Sequence, residues 1–151
     1  MNGNIHPLNI EEYPKCRNIW DMERHADLAE RFLSELQNGN RLTWVYERDE
    51  QFLGEISLVK EKDDPDYTVP GRRIYVSRLI VRRENRRQGI GKSLVEYAVQ
   101  QASEMGYSEM SIGVDMDNYP ALRLYTGLGF REILFLGEDA DGRYFKLLKR
   151  L

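Results

Sequence analysis

Arg86-Arg87-Gln88-Gly89-Ile90-Gly91-Lys92-Ser93 is the stretch on which the reading of this 151-residue chain turns. It follows a β-branched run ending at Val81 and opens a helical pattern. In that pattern Leu94, Val95, Ala98, Val99, Ala102 and Met105 share one face, and Gly106 supplies the stop. A strand-to-helix junction points several backbone N–H groups at one place, and the helix N-terminus adds a positive field. Glycine at 89 and 91 lets a ligand approach the backbone closely. Arg82, Arg83, Arg86, Arg87 and Lys92 crowd the same turn, so a phosphate-bearing ligand is the natural partner. Two better-known phosphate loops do not fit. A Walker A loop ending at Gly91-Lys92-Ser93 requires glycine where Arg86 stands. A dinucleotide fingerprint starting at Gly89 requires glycine or alanine where Leu94 stands. Taken alone, the stretch is equally a helix entry with solvated arginines.

Outward from this junction the chain reads as mixed strands and helices. Ile5 to Ile10 is expected as a first strand, with Glu11 to Trp20 and Ala26 to Gln37 as helices. The second helix carries Leu28, Phe32, Leu33 and Leu36 on one side and ends at Asn38-Gly39. Thr43 to Tyr46 and Phe52 to Val59 flank the polar turn Arg48-Asp49-Glu50-Gln51 as a hairpin. The acidic stretch from Glu61 to Gly71, with Pro65 and Pro70, is a loop before a strand over Arg73 to Val81. Met110, Ile112 and Val114 alternate as a strand, and Pro120 to Leu128 is a short helix. Phe130 to Leu136 and Tyr144 to Leu148 form a second hairpin. No repeat or low-complexity tract interrupts the order.

Composition narrows the function. Hydrophobic residues make up 41% and charged residues 31%, ordinary for a soluble globular protein, and the length suits one domain over 1–151. A formal charge of −3 gives no reason to expect a nucleic-acid binder. Cys16 is the single cysteine, so no internal disulfide forms, and a reducing, cytoplasmic setting is expected. The opening residues Met1 to Pro7 lack the basic and apolar runs of a signal peptide. No stretch reaches the roughly 20 apolar residues that span a bilayer, so no membrane partner is expected. His6 and His25 are far apart without ligand-type neighbours, so no metal is expected. No Gly-x-Ser-x-Gly elbow is present, which argues against a serine hydrolase. Cys16 reads as a packed residue, not a nucleophile.

A second constellation gives the glycine loop its context. Asp117-Asn118-Tyr119-Pro120-Ala121-Leu122-Arg123-Leu124-Tyr125 follows the strand ending at Val114, and Gly129-Phe130 closes the helix. Asn118 is placed to cap that helix, with Pro120 in its first turn. Arg86-x-x-Gly89-x-Gly91 and Asn118-x-x-Ala121-x-x-Leu124-Tyr125-x-x-x-Gly129-Phe130 together resemble the two signatures of the GNAT superfamily of N-acetyltransferases. The clear resemblance runs from about Tyr75 to Phe130.

The resemblance implies an α/β (α+β) fold. Its central sheet is mixed and mostly antiparallel, splayed between the fourth and fifth strands and flanked by helices. It implies acetyl-coenzyme A as co-substrate and a small-molecule or peptide amine as acceptor, in a monomer or homodimer. Arg86, Arg87, Gln88, Gly89, Ile90, Gly91, Lys92 and Ser93 would wrap the coenzyme pyrophosphate. Leu79, Ile80 and Val81 would lie on the strand that pairs with the pantetheine arm, where one N–H polarises the acetyl carbonyl. Asn118 would bond the pantetheine or its neighbourhood, and Tyr125 would sit near the sulfur as general acid. The bare alternative for Tyr125 is packing on the apolar face of its helix.

Three further features of the sequence bear on the chemistry. Many relatives carry proline where Arg83 stands and glycine where Arg87 stands, which affects the turn and its charge. The strands Tyr75-Val76-Ser77-Arg78 and Ser111-Ile112-Gly113-Val114 hold no acid, so the general base is Glu55, Asp115, Asp117 or a water chain. A base matters, because a lysine-like amine of pKa ~10.4 is only about 0.1% neutral near pH 7.4, a handicap of roughly 4 kcal/mol. Finally, the acidic loops Glu61, Asp63, Asp64, Asp66 and Glu138, Asp139, Asp141 favour a cationic amine if they face the acceptor, and are ordinary solvated loops otherwise. A non-catalytic acyl-coenzyme A sensor is the alternative to an enzyme; it would keep the loop and not need Tyr125.

Overall fold

The computed structural model describes residues 3–151, arranged as two compact units. One holds the chain up to Leu58 together with Arg78–Ala98, and the other holds Val59–Ser77 together with Val99–Leu151. The backbone passes from one to the other within two strands and one helix.

In the first unit, strand β1 (Asn4–Pro7) pairs antiparallel with β2 (Arg41–Arg48), placing Ile5 opposite Tyr46. It does not continue to Ile10. The Asn9 side chain instead accepts a hydrogen bond from the Glu11 N–H (3.0 Å) and starts a 3₁₀ segment over Ile10–Asn18. Pro14 lies inside that segment and has no N–H to donate, so the helix expected over Glu11 to Trp20 takes this tighter form. Helix α1 (Ala26–Gln37) keeps the expected bounds. Its Phe32 joins Tyr13, Cys16, Ile19, Trp20, Val45 and Phe52 in one core, with Leu28, Leu33 and Leu36 packed against it. Asp49 and Glu50, both at positive φ (53° and 64°), turn β2 into β3 (Gln51–Val59). Two left-handed residues match the twist of a two-residue hairpin, although neither is the usual Asn or Gly. Strand β3 is buried from Phe52 to Val59, so both its faces are covered and its sequence does not alternate.

In the second unit, the N-terminal part of β4 (Arg73–Val81) pairs parallel with β5 (Glu109–Asp115), from Arg73 opposite Glu109 to Val76 opposite Ile112. From Arg78 onward β4 belongs to the first unit. Strand β6 (Glu132–Asp139) pairs antiparallel with β7 (Gly142–Arg150), and β7 pairs antiparallel with β5, giving the order β4-β5-β7-β6. Helix α2 (Ile90–Glu104) enters this unit at Val99, and α3 (Tyr119–Gly127) follows β5. The fold is thus mixed α/β, with a mostly antiparallel sheet and one parallel pair, as the resemblance implies.

Glu109 opens β5 with its side chain 3% exposed. It is covered by three guanidiniums, not sunk in apolar core: Arg73 Nε at 2.9 Å, Arg150 Nη1 at 3.1 Å and Arg72 Nη2 at 3.4 Å. Burial opposes the charge, yet hydrogen bonds from Arg73 and Arg72 hold the carboxyl below the ordinary glutamate range. A depressed folded-state pKa contributes stability above the unfolded value of ~4.3, and that stability is lost as pH falls through the folded value. Glu109→Gln should therefore cost about 2 kcal/mol at neutral pH. The gap to the native chain should close in urea titrations carried progressively below pH 4.3, since acid removes the same charge.

Candidate active site

The phosphate-loop residues lie in the first unit. Beyond β4 the Arg82 N–H donates to the Leu53 carbonyl (2.7 Å), which anchors the exit of the strand. A single 3₁₀ turn, Arg83–Asn85, follows, a feature the sequence does not announce. The Arg86 Nε donates back to the Val81 carbonyl (3.1 Å), and Arg48 Nη2 donates to Gln88 Oε1 (3.1 Å). Arg87 adopts φ 64° and Gly89 φ 82°. The left-handed conformation of Arg87 explains why a glycine suits this position in relatives, and here it is held at the cost of some backbone strain.

The first bond of α2 runs from the Ser93 N–H to the Gly89 carbonyl (3.0 Å), so the amides before it have no acceptor within the helix. A Cβ built on Gly89 meets no atom within 4 Å, so the space above this backbone is open. Arg83, Arg86, Arg87, Gln88 and Lys92 are exposed, whereas the Ile90 side chain is buried and leaves only its backbone for a ligand. Free amides, an open face and surrounding cations fit a pyrophosphate. Leu79, Ile80 and Val81 are half-buried at the C-terminal end of β4.

Asn118 and Tyr125 lie in the second unit. The Asn118 side chain accepts from the Ala121 N–H (3.3 Å) as the cap of α3, with Pro120 in the first turn, as the sequence predicts. Tyr125 is 8% exposed and packs edge-on against Phe130, ring centroids 5.9 Å apart. Burial pushes its phenol up to about 12, so it stays protonated throughout the neutral range. It nevertheless lines a cavity of about 470 Å³, together with Tyr67, Tyr75, Tyr144, Asn118 and Lys146. Packing and exposure to a cavity are therefore both true of Tyr125.

Sequence reasoning missed the rest of this wall. Tyr67 and Tyr75 stack with centroids 4.3 Å apart, and a Cβ at Gly113 would collide with the Tyr67 hydroxyl. Lys146 Nζ reaches Asp64 (2.9 Å) and Asp66 (3.1 Å) and lies 5.0 Å from the Tyr67 ring centroid. Burial works against its charge, but the two carboxylates raise its pKa well above the ordinary lysine value. Two acids of the loop read as an acidic mouth are thus already neutralised in part by a lysine 80 and 82 residues away in sequence. Asp115 and Asp139 also line the cavity.

Of the candidate bases, Asp115 and Asp117 are exposed, while Glu55 is 4% exposed in the first unit. His6 pairs with Glu47 at 2.6 Å. Among the described residues no three His, Cys, Asp or Glu side chains gather in a metal-binding group, and no helix is long and apolar enough to cross a membrane.

Comparison with known proteins identifies the family. The acetyltransferase (GNAT) family matches residues 4–130. N-acetyltransferase family 8 member 2 of Rattus norvegicus is 33% identical over 146 residues, covering 95% of this chain and 59% of the rat protein. The chain therefore spans little more than half the length of that relative, and 48% of human N-acetyltransferase 8, to which it is 33% identical over 112 residues. Among solved structures, a GNAT acetyltransferase from Elizabethkingia anophelis with acetyl-CoA bound superposes with a TM-score of 0.75 at 18% identity, covering 99% of both chains. That likeness shows the fold, and the family match spans most of the chain. The chain belongs to the GNAT acetyltransferase family.

Proposed function

We propose that residues 1–151 act as one cytoplasmic N-acetyltransferase domain that moves the acetyl group of acetyl-coenzyme A onto a primary amine by direct attack. The observation that carries this reading is Tyr125, a protonated phenol buried by its helix and yet facing a cavity. Arg86 to Ser93 hold the pyrophosphate through backbone amides and cationic side chains, and Leu79, Ile80 and Val81 supply backbone groups for the pantetheine arm. Asn118 contributes at the head of α3, where its cap fixes the helix that carries Tyr125. The amine forms a bond to the acetyl carbon, the carbon–sulfur bond breaks, and Tyr125 donates its proton to the departing sulfur.

Magnitudes constrain this last transfer. A phenol near 12 is a weaker acid than a thiol of ~8.5, so protonating a free thiolate would be uphill by roughly 5 kcal/mol. The proton must move together with carbon–sulfur cleavage, and the contribution should be on the order of 10²-fold. The acceptor is a cationic amine by this proposal, supported by Asp115, Asp139 and three further tyrosines at the cavity, with Asp64 and Asp66 offset in part by Lys146.

Two measurements test the reading. Acetyl-coenzyme A at a hundred times its dissociation constant should stabilise the protein by roughly 2.7 kcal/mol, seen as a raised melting temperature. Gly89→Val should remove most of that gain while the protein still folds; an unchanged wild-type melting temperature would overturn coenzyme binding. Tyr125→Phe keeps the ring and removes the hydroxyl. It should lower kcat about 10²-fold with nearly unchanged acetyl-coenzyme A affinity and melting temperature. A full-rate variant refutes the acid role, and a protein that binds the coenzyme yet acetylates no amine is a sensor.

A further inference from the structure

On one face of the second unit's sheet, a loop is fastened over β5. Along that strand Ser111, Gly113 and Asp115 alternate with the buried Met110, Ile112 and Val114. Strand register sets each of the three beside a partner: Ser111 beside Tyr75 of β4, Gly113 beside Lys146 of β7, and Asp115 beside Tyr144 of β7.

The loop segment 64–68 is held from all three strands. The Ser111 hydroxyl of β5 donates to the Tyr67 carbonyl (2.5 Å). Lys146 Nζ of β7 donates to Asp64 (2.9 Å) and Asp66 (3.1 Å), and Arg73 Nη1 of β4 donates to the Asp66 carbonyl (3.0 Å). The Tyr67 N–H closes a turn onto the Asp64 carbonyl (3.0 Å). These bonds fix where the Tyr67 ring goes: it stacks on Tyr75, and its hydroxyl sits directly over Gly113.

Gly113 shows what the strand gives up for this. Its φ lies outside the left-handed region, so its backbone conformation is open to any residue. Glycine inside a strand weakens it. What calls for bare backbone here is the Tyr67 hydroxyl, which a Cβ would strike. The buried Ser111 hydroxyl likewise bonds the loop. Two positions of β5 are thus fitted to the placing of one side chain.

That side chain lines the cavity of about 470 Å³ that Tyr125 also faces. The protein's own Lys146 shows what such a wall holds. Its ammonium, at the end of an unbranched methylene chain, stands 5.0 Å from the Tyr67 ring centroid and 4.6 Å from that of Phe135. Aromatic faces accept a cation, and an alkyl stem of this kind lies easily against apolar surface. Burial pushes the Tyr67 phenol up to about 12, so it adds no charge, while Asp115 and Asp139 bring carboxylates to the same cavity.

We propose that Tyr67, held over Gly113, sets acceptor selectivity, admitting a primary amine on an unbranched methylene chain and turning away one whose carbon skeleton branches next to the aminomethyl group. The inference rests on the acetyltransfer reading above and narrows its acceptor class. A ring fixed from three strands does not yield to a wider substrate, and a single methylene in a close-fitting pocket is already worth about tenfold or more in kcat/KM. Tyr67 takes no part in the bond changes; it acts by shape.

The test compares n-heptylamine with cyclohexylmethylamine, which match in carbon number and terminal ammonium and differ in width. The wild-type protein should favour n-heptylamine on the order of 10²-fold in kcat/KM. Tyr67→Ala should bring the two within about threefold, chiefly by raising kcat/KM for cyclohexylmethylamine, with acetyl-coenzyme A affinity unchanged. Gly113→Ala drives its methyl against the Tyr67 hydroxyl and lifts the ring into the cavity, so both amines should lose about tenfold. Adding Tyr67→Phe removes the struck oxygen and leaves ring carbons at 3.4 and 3.6 Å from that methyl, an ordinary contact. The double variant should therefore recover both rates and the preference, a rescue that general loosening of the fold would not give.

Equal rates in the wild type, or a preference for the wider amine, overturn the proposal, as does a Tyr67→Ala variant that keeps the wild-type preference. If Tyr67→Ala does not fold, the Gly113→Ala pair decides, and failure of Tyr67→Phe to rescue it overturns the proposal. If neither amine is acetylated, their dissociation constants on the coenzyme A-loaded protein replace the rates. A preference for n-heptylamine that Tyr67→Ala abolishes then upholds the wall, and equal or absent binding overturns it. Such a preference without acetylation of these amines, spermidine or a lysine-containing tetrapeptide overturns the transfer reading alone.

Discussion

The seating of α2 against β3 is the constraint on which the loop from Arg86 to Ser93 depends. Gly54 lies where a Cβ would meet Ile90 Cγ2 and Leu94 Cδ1 at 3.2 Å and the Ile80 carbonyl at 3.3 Å. The helix comes this close only because β3 has bare backbone at that point. Ile90 and Leu94 are 3% and 0% exposed, so the first turn of α2 is fixed by packing before any ligand arrives. The amides just ahead of it then lie in a rigid frame, and the arginines beside them supply charge without having to supply position. Preorganisation of this kind spares the ligand the cost of ordering the loop.

The division of labour between backbone and side chain also explains what was legible in the sequence. Helix α1 and strand β4 keep their expected bounds because period and flanking residues agree there: Asn38-Gly39 ends the helix, and the Arg82 amide bonded to Leu53 ends the strand. The first strand and the segment after it were bounded less well. Asn9 and Pro14 redirect the backbone locally, and neither acts through hydrophobic periodicity. The final hairpin is expected from Phe130, but β6 starts later, at Glu132, and runs on to Asp139; it is largely exposed, with Ile133, Phe135 and Leu136 at the surface, and carries little burial signal. Asn118 is legible as the cap of α3 because Pro120 follows it in the first turn.

What stayed hidden was every contact between residues distant along the chain. Lys146 meeting Asp64 and Asp66 is invisible to any local rule, and it changes an acidic loop from an attractive surface into half of an ion-pair network. The surroundings of Glu55 are hidden for the same reason: Arg78 of β4 and Arg41 of β2 favour its charged form, and only folding collects them. Arg87 belongs to a different class: the sequence departs from the family's glycine there, and the structure keeps the glycine-like conformation with an arginine in it.

Cys16 has a consequence of a different kind. It is the single thiol of the chain, it is 0% exposed, and burial raises its pKa well above that of a free cysteine. A soluble alkylating reagent can reach it only when the 3₁₀ cover over the first unit opens, so the labelling rate is the opening equilibrium multiplied by the rate of an unhindered thiol. The chain therefore carries its own gauge of local breathing, on the same side of β3 as Glu55 and Trp20. Anything that loosens this layer will show as faster labelling long before the global melting transition moves.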